Sequence, residues 1–220
     1  MSARLPDQAL CRELNGHLLR WYGRCRRTFP WRSDASPYRI LVSEVLLQKT
    51  TGPQVAEIFE QFIQRYPRPR ALARGRVRTM ARLVAPLGLF KRAEWLRSIG
   101  RELVDRFEGE VPADPADLLS LPGVGPYGAN AVRCFAFGER VAIVDRNVWR
   151  VLSRILGLTE CHPRRRPPRE IWEAAQHVLP PRAHRNWNWA IIDLAAARCR
   201  PRDPACERCP LNSCCLSASS

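Results

Sequence analysis

Apolar residues recur at helical spacing along almost all of this 220-residue chain, and alternating, strand-like runs are nearly absent. In residues 8–23, Leu10, Leu14, Leu18, Leu19 and Tyr22 share one helical face. A turn-rich stretch at 30–39, PWRSDASPYR, interrupts the pattern. ILVSEVLLQKTT then leads into a helical pattern as far as about Arg65, where the prolines of YPRPR end it. Residues 71–84 and 91–107 predict two further amphipathic helices, separated by APLGLFK. Asp114 before Pro115 marks another helix start, and residues 170–179 resume a helix after the exposed loop CHPRRRPPRE. Only VAIVD at 141–145 is β-like. The expected fold class is therefore all-α.

The length allows one large domain or two small ones with a proper core. A content of 45% hydrophobic and 26% charged residues argues against wholesale disorder. No stretch approaches the roughly 20 apolar residues of a membrane span, and the start MSARLPDQALCREL lacks the apolar core of a secretory signal. A soluble intracellular protein is expected. Its 36 basic residues against 21 acidic ones give a formal net charge of +15. Such an excess on a globular chain points to a polyanion, with nucleic acid as the first candidate. Lys49 and Lys91 are the only lysines, so 34 of the 36 cations are arginines. Codon bias accounts for that choice of cation but not for the surplus over acids.

Nine cysteines in an intracellular chain argue against a disulfide framework. Cys11, Cys25, Cys134 and Cys161 are scattered, as small buried hydrophobes are. Five others crowd the last 22 residues, and Cys199, Cys206, Cys209 and Cys215 among them have the spacing C-x6-C-x2-C-x5-C. Four thiolates in a compact loop suit a [4Fe–4S] cluster or a tetrahedral zinc ion, and spacing alone does not separate the two. Cys214 falls outside the spacing.

The segment LPGVGPYGANAVRCFAFG at 121–138 carries a stronger signal. Gly123 and Gly125, flanking Val124, permit a tight turn and a close backbone approach between two helices. Pro126 suits the first position of the second helix, and Gly138 its end. The outward N–H groups of such a turn and helix start form an anion site suited to a DNA phosphate, a contact that positions DNA without reading its sequence. The plainer alternative is an ordinary helical corner.

LPGVGPYGANAV followed about twenty residues later by VDRNVWRVL resembles the helix–hairpin–helix DNA glycosylase superfamily, over about residues 8–216. The resemblance implies two helical lobes with a cleft between them. Residues 33–141 would form a six-helix lobe with the hairpin, and 1–32 with 142–220 a discontinuous lobe around the cysteine loop. It also implies that the cysteines hold a [4Fe–4S] cluster, because their spacing after NWNWAIIDLAAARC resembles the loop of endonuclease III and the adenine glycosylases. The partner would be double-stranded DNA with a mismatched or damaged base, and the protein a cytoplasmic, nucleoid-associated monomer of a prokaryote.

Breaking an N-glycosidic bond builds positive charge on the sugar, which a carboxylate beside C1′ stabilises. Asp145, at the start of NVWRVLSRIL and at the family's distance from the hairpin, fits that role; otherwise it is a plain N-cap. Relatives that form a Schiff base carry a lysine in the hairpin's second helix where this chain has Tyr127. Hydrolysis by water without strand nicking follows from the resemblance, with Tyr127 against the sugar or the extruded base; the alternative is a core aromatic. Glu44 aligns with the catalytic acid of the adenine glycosylases, and thymine–guanine mismatch enzymes also carry a Glu there. Gln48, Lys49 and Thr50 either reach into the DNA or simply end a helix. Leu89 resembles the wedge that fills the space of a flipped base; Leu89 and Phe90 as core residues are the other possibility. Tyr127, GLFKRAE and LLQKTT together most resemble the thymine–guanine mismatch glycosylases, which remove T or U opposite G. An adenine glycosylase is the alternative; those enzymes usually carry a further C-terminal domain, and this chain stops at Ser220. A catalytically silent DNA-binding protein is the third, against which Glu44 and Asp145 speak, since gripping phosphate needs neither.

Overall fold

The computed structural model describes residues 5–88, 90–158, 162 and 165–218. Regular structure among them is helical throughout. The elements are α1 (Gln8–Cys25), α2 (Pro30–Ser33), α3 (Pro37–Leu46), α4 (Gly52–Arg65), α5 (Pro69–Arg74), α6 (Val77–Val84), α7 (Lys91–Phe107), α8 (Pro115–Ser120), α9 (Pro126–Phe135), α10 (Arg146–Leu156), α11 (Arg169–Val178) and α12 (His184–Ala197). Short 3₁₀ turns follow α6 at Ala85–Leu87 and punctuate the cysteine-rich end. No helix among the described residues is long and apolar enough to cross a membrane. The chain divides into two compact units, residues 28–139 and residues 1–27 with 140–220.

In the unit 28–139, α3 is the central helix. Ile40, Leu41, Val42, Val45 and Leu46 are all buried, so it is apolar nearly all round, as a core helix must be. α4 adds Val55, Phe59 and Phe62, and α7 adds Leu96, Ile99 and Leu103. α7 lies close against α5 because of Gly100, where a Cβ would stand 2.6 Å from the Ala73 nitrogen. The helical pattern that runs from Ile40 to Arg65 in sequence is broken in space at Leu47–Thr51. Thr51 and Gln54 form a reciprocal capping box there, with Pro53 in the first turn, and so start α4 anew. Residues 71–84 likewise divide into α5 and α6 at Gly75, which faces the Met80 and Tyr66 side chains at 2.2 and 2.7 Å from where a Cβ would lie. The proline-rich break at 30–39 holds one helical turn and the first residues of α3.

In the other unit, α10 and α12 pack together through Trp149, Leu152, Trp187, Ile191 and Leu194, and α1 covers α12 with Leu14 and Leu18. VAIVD forms no strand. Its buried backbone finds side-chain partners instead: Gln176 Oε1 accepts from the Ala142 amide at 2.9 Å, and Asn188 Oδ1 from the Ile143 amide at 3.2 Å. Asn188 Nδ2 returns a bond to the Val141 carbonyl at 3.0 Å. An extended, apolar segment is thus satisfied without a ladder, and it delivers Asp145 to the start of α10. A buried Asp193 on α12 receives the backbone amide of Arg27 at 3.1 Å and its Nε at 2.6 Å, which fixes the chain after α1.

Candidate active site and nucleic-acid interface

The hairpin forms as a tight turn between α8 and α9. The Val124 amide donates to the Leu121 carbonyl at 3.1 Å, and Gly123 adopts φ +77°, the left-handed region that glycine enters freely. A Cβ at Gly123 would also come within 2.8 Å of the Trp95 ring on α7. Gly125 is the N-cap of α9 and supplies no capping side chain, and Pro126 occupies the first turn. Gly123 and Gly125 are exposed and Val124 is half-buried. This leaves a helix N-terminus bare, with its partial positive charge toward solvent.

Gln48, Lys49 and Thr50 occupy the break between α3 and α4. Lys49 is exposed and takes a positive φ of 54° at the apex of the turn. Thr50 donates to Gln54 Oε1 at 2.9 Å. Gln48 does not reach outward: its Nε2 donates to the Gly123 carbonyl at 2.7 Å and so ties the turn to the hairpin. Glu44, on α3, is buried with 7% exposure, and Tyr127 is half-buried in the first turn of α9. α3 packs directly on α9, so these two residues stand on adjoining helices. Leu89 lies outside the described residues. Its neighbour Phe90 is 67% exposed and therefore not a core residue.

Asp145 is half-buried and caps α10. Its Oδ1 accepts from the Val148 amide at 2.7 Å and its Oδ2 from Asn147 Nδ2 at 2.8 Å. Asn147 Oδ1 in turn accepts from Arg150 Nη1 at 3.0 Å. Arg150 also donates to the carbonyls of Cys199, at 2.9 Å, and Ala195, at 3.2 Å. Arg150 thus spends its donors inside its own unit. The Asp145–Asn147–Arg150 chain was missed in sequence, although an Asp-x-Asn pair at a helix start is a recognisable capping pattern.

The cysteine loop lies against the same helix. Arg154 donates to Cys199 Sγ at 3.5 Å and to the Arg200 and Pro201 carbonyls at 2.7 and 3.0 Å, and its own carbonyl accepts from Cys215 Sγ at 3.5 Å. Burial, aided by the nearby Cys199, Cys215 and Cys206, pushes the Cys209 thiol up to about 11. The four cysteines of the C-x6-C-x2-C-x5-C spacing therefore share one electrostatic neighbourhood. Cys214 turns away, donating to the Leu211 carbonyl at 3.5 Å. Among the described residues no group of three or more His, Cys, Asp or Glu is gathered closely enough to hold a metal ion as the side chains stand. The donor set nonetheless fits a thiolate-held cluster in kind and number. Of the loop arginines, Arg200 is paired with Asp203 at 3.0 Å, and Arg202 and Arg208 are exposed.

Residues 42–181 match the HhH-GPD superfamily of base excision DNA repair proteins. The chain belongs to this superfamily. It is 36% identical over 214 residues to a thymine-DNA glycosylase of Aeropyrum pernix, covering 96% of each chain. It is 37% identical over 204 residues to a thymine/uracil-DNA glycosylase of Pyrobaculum aerophilum, covering 90% of this chain and 89% of the relative. Its fold matches the solved structure of a thermostable thymine-DNA glycosylase with a TM-score of 0.88 and 32% identity, over 96% of this chain and 97% of that one.

Proposed function

We propose that this protein is a monofunctional DNA glycosylase of base excision repair, removing thymine or uracil opposite guanine by hydrolysis of the N-glycosidic bond. The observation that carries this reading is the end-to-end likeness, in sequence and fold, to a thymine-DNA glycosylase, with Glu44, the hairpin and Asp145 inside the family match at 42–181. The bare start of α9 grips a backbone phosphate through its amides, so the duplex is positioned without regard to sequence. Leu89, next to the exposed Phe90, is the residue assigned to enter the stack as the target base leaves it. Asp145 holds negative charge where the sugar becomes cationic, and its two hydrogen bonds fix the carboxylate in one orientation. Water is the nucleophile. Tyr127 occupies the place of the Schiff-base lysine, and it cannot form an imine. Glu44, buried on α3, is assigned to assist departure of the base.

Cys199, Cys206, Cys209 and Cys215 would hold a [4Fe–4S] cluster, which would fix the loop that carries Arg198, Arg200, Arg202 and Arg208. Cluster removal by an oxidant and chelator is expected to weaken duplex binding about tenfold or more; unchanged binding and thermal unfolding would remove that role. The function itself is tested with duplexes containing T·G, U·G, A·8-oxoguanine and A·G, each followed by separate alkali cleavage of abasic sites. Release of T and U, with strand breaks only after alkali, is expected. Release of adenine alone would replace this assignment with the adenine glycosylase, and strand cleavage before alkali, or efficient borohydride trapping, would end the monofunctional claim.

A further inference from the structure

Arg92, on the first turn of α7, is fully buried at 0% exposure. Its Nη1 donates to the Leu87 carbonyl at 3.1 Å, and its Nη2 donates to the Gln48 carbonyl. Among the described residues no carboxylate charge acts on it, burial being the sole influence, and its Nε has no acceptor there. Burying a guanidinium without a counter-charge is costly, and an apolar side chain of similar volume would fill the space at less cost. Burial accordingly lowers the affinity of Arg92 for its proton. The reason for its presence lies in what the two carbonyls belong to.

Both carbonyls stand just past helix C-termini. Gln48 follows the end of α3, and Leu87 ends the 3₁₀ turn that continues α6. Carbonyls at such ends lack helical partners and carry partial negative charge. One cation therefore joins two loop origins: the 48–50 turn and the chain entering Gly88, which leads to the exposed Phe90. Gln48 extends the link, because its side chain donates to the Gly123 carbonyl in the hairpin at 2.7 Å. Trp95, one turn beyond Arg92, closes on Gly123 from the same helix. The 48–50 turn, the chain at Leu87–Gly88 and the hairpin are thus all referenced to one buried side chain that solvent does not reach.

We infer that Arg92 is a positioning residue that locks the 48–50 turn, the chain at Leu87–Gly88 and the phosphate-gripping hairpin in one register, so that the grip on the backbone drives extrusion of the target base. This rests on the glycosylase reading above. A part that only supports the fold would serve every substrate alike. A part that couples grip to extrusion matters only when the base must be pulled from a stack.

The test compares single-turnover release of uracil from a U·G duplex with release from the same duplex carrying an abasic-site analogue opposite the uracil, where little stacking and no pairing must be broken. Arg92→Met is expected to slow the first roughly thirtyfold and the second less than threefold. Gln48→Leu, which cuts only the link to the hairpin, is expected to show the same selective loss at roughly a fifth of the size. Arg92→Lys, which keeps charge on one nitrogen, should recover part of the U·G rate; should Arg92→Met fail to fold, this variant and Gln48→Leu carry the comparison. Equal slowing on both substrates, or no slowing on either, would overturn the proposal. A wild-type protein that releases no pyrimidine but does release adenine would instead refute the assigned substrate, and the same paired and unpaired contexts would then be run with adenine.

Discussion

Two helix N-termini in this protein answer the same physical problem in opposite ways. α9 begins at Gly125 with no capping side chain, and α10 begins at Asp145 with both carboxylate oxygens hydrogen-bonded. Each start leaves amides without helical partners and a partial positive charge. At α9 that charge is left open and suits an anion arriving from outside, a phosphate. At α10 it is already answered by a fixed carboxylate, which leaves a net negative group held still beside solvent and suits a cation that develops during reaction. One local geometry therefore supports either binding or chemistry, depending on whether the cap position is empty or charged.

The largest effect is expected from Asp145→Asn. Asparagine caps helices about as well as aspartate, so the midpoint of thermal unfolding should move little. The charge, however, is gone, and single-turnover excision should fall roughly a thousandfold or more with duplex affinity retained. Excision near the wild-type rate would reduce Asp145 to a helix cap and would leave the chemistry to be found elsewhere. A large drop in thermal stability with proportional loss of activity would show that the carboxylate serves the fold.

Much of this contrast was legible in the sequence, because both helix starts are local. LPGVGP states a glycine turn and a proline at the first helical position, and D-x-N before an apolar helical pattern states a cap. The all-α class was legible for the same reason, since period-3.6 burial needs only neighbours along the chain. The misread elements are those decided at a distance or by a competing local signal. VAIVD has the apolar run of a strand, but its backbone partners are Gln176 and Asn188, side chains that no local pattern assigns to it. The break at 47–51 was announced by Thr51, Gly52, Pro53 and Gln54, and the apolar periodicity on either side masked it. Arg92 carried no signal: nothing in its neighbourhood distinguishes it from the exposed arginines, although it is buried. Gln48 looked like a side chain for DNA and is occupied with Gly123, a contact across 75 residues.

The next largest effect comes from making the two starts alike. At Gly125 the backbone is extended, with φ −106°, and a Cβ would meet nothing within 4 Å, so Gly125→Asp should be accommodated. The new carboxylate would cap α9 and stabilise it by about 0.3 kcal/mol, raising the unfolding midpoint by roughly 1 °C. It would also set negative charge where a phosphate is proposed to sit. Duplex affinity should fall roughly tenfold, and the slope of log affinity against log salt should shrink by about one contact. Stability and binding would thus move in opposite directions. If affinity and salt dependence stay as they are while stability rises, the start of α9 is not the phosphate site.

The smallest effect separates two things that the cap of α10 does at once. Asn147→Ala removes the bond to Asp145 Oδ2 and leaves the Val148 amide on Oδ1. Losing that bond frees the carboxylate to rotate, which works against a reaction that needs it beside C1′. It also concentrates charge on the freed oxygen, which works in favour of stabilising a cation. A net hydrogen bond of about 1 kcal/mol corresponds to roughly fivefold in rate. Orientation should win, because the freed oxygen faces water that would solvate its charge, and half-exposed groups gain little from losing one donor. Excision should therefore slow by about that factor, with duplex affinity unchanged. A faster Asn147→Ala enzyme would mean that charge at Asp145, and not its aim, limits the reaction, and the Asn147–Arg150 chain would then be a brace for the cysteine loop alone.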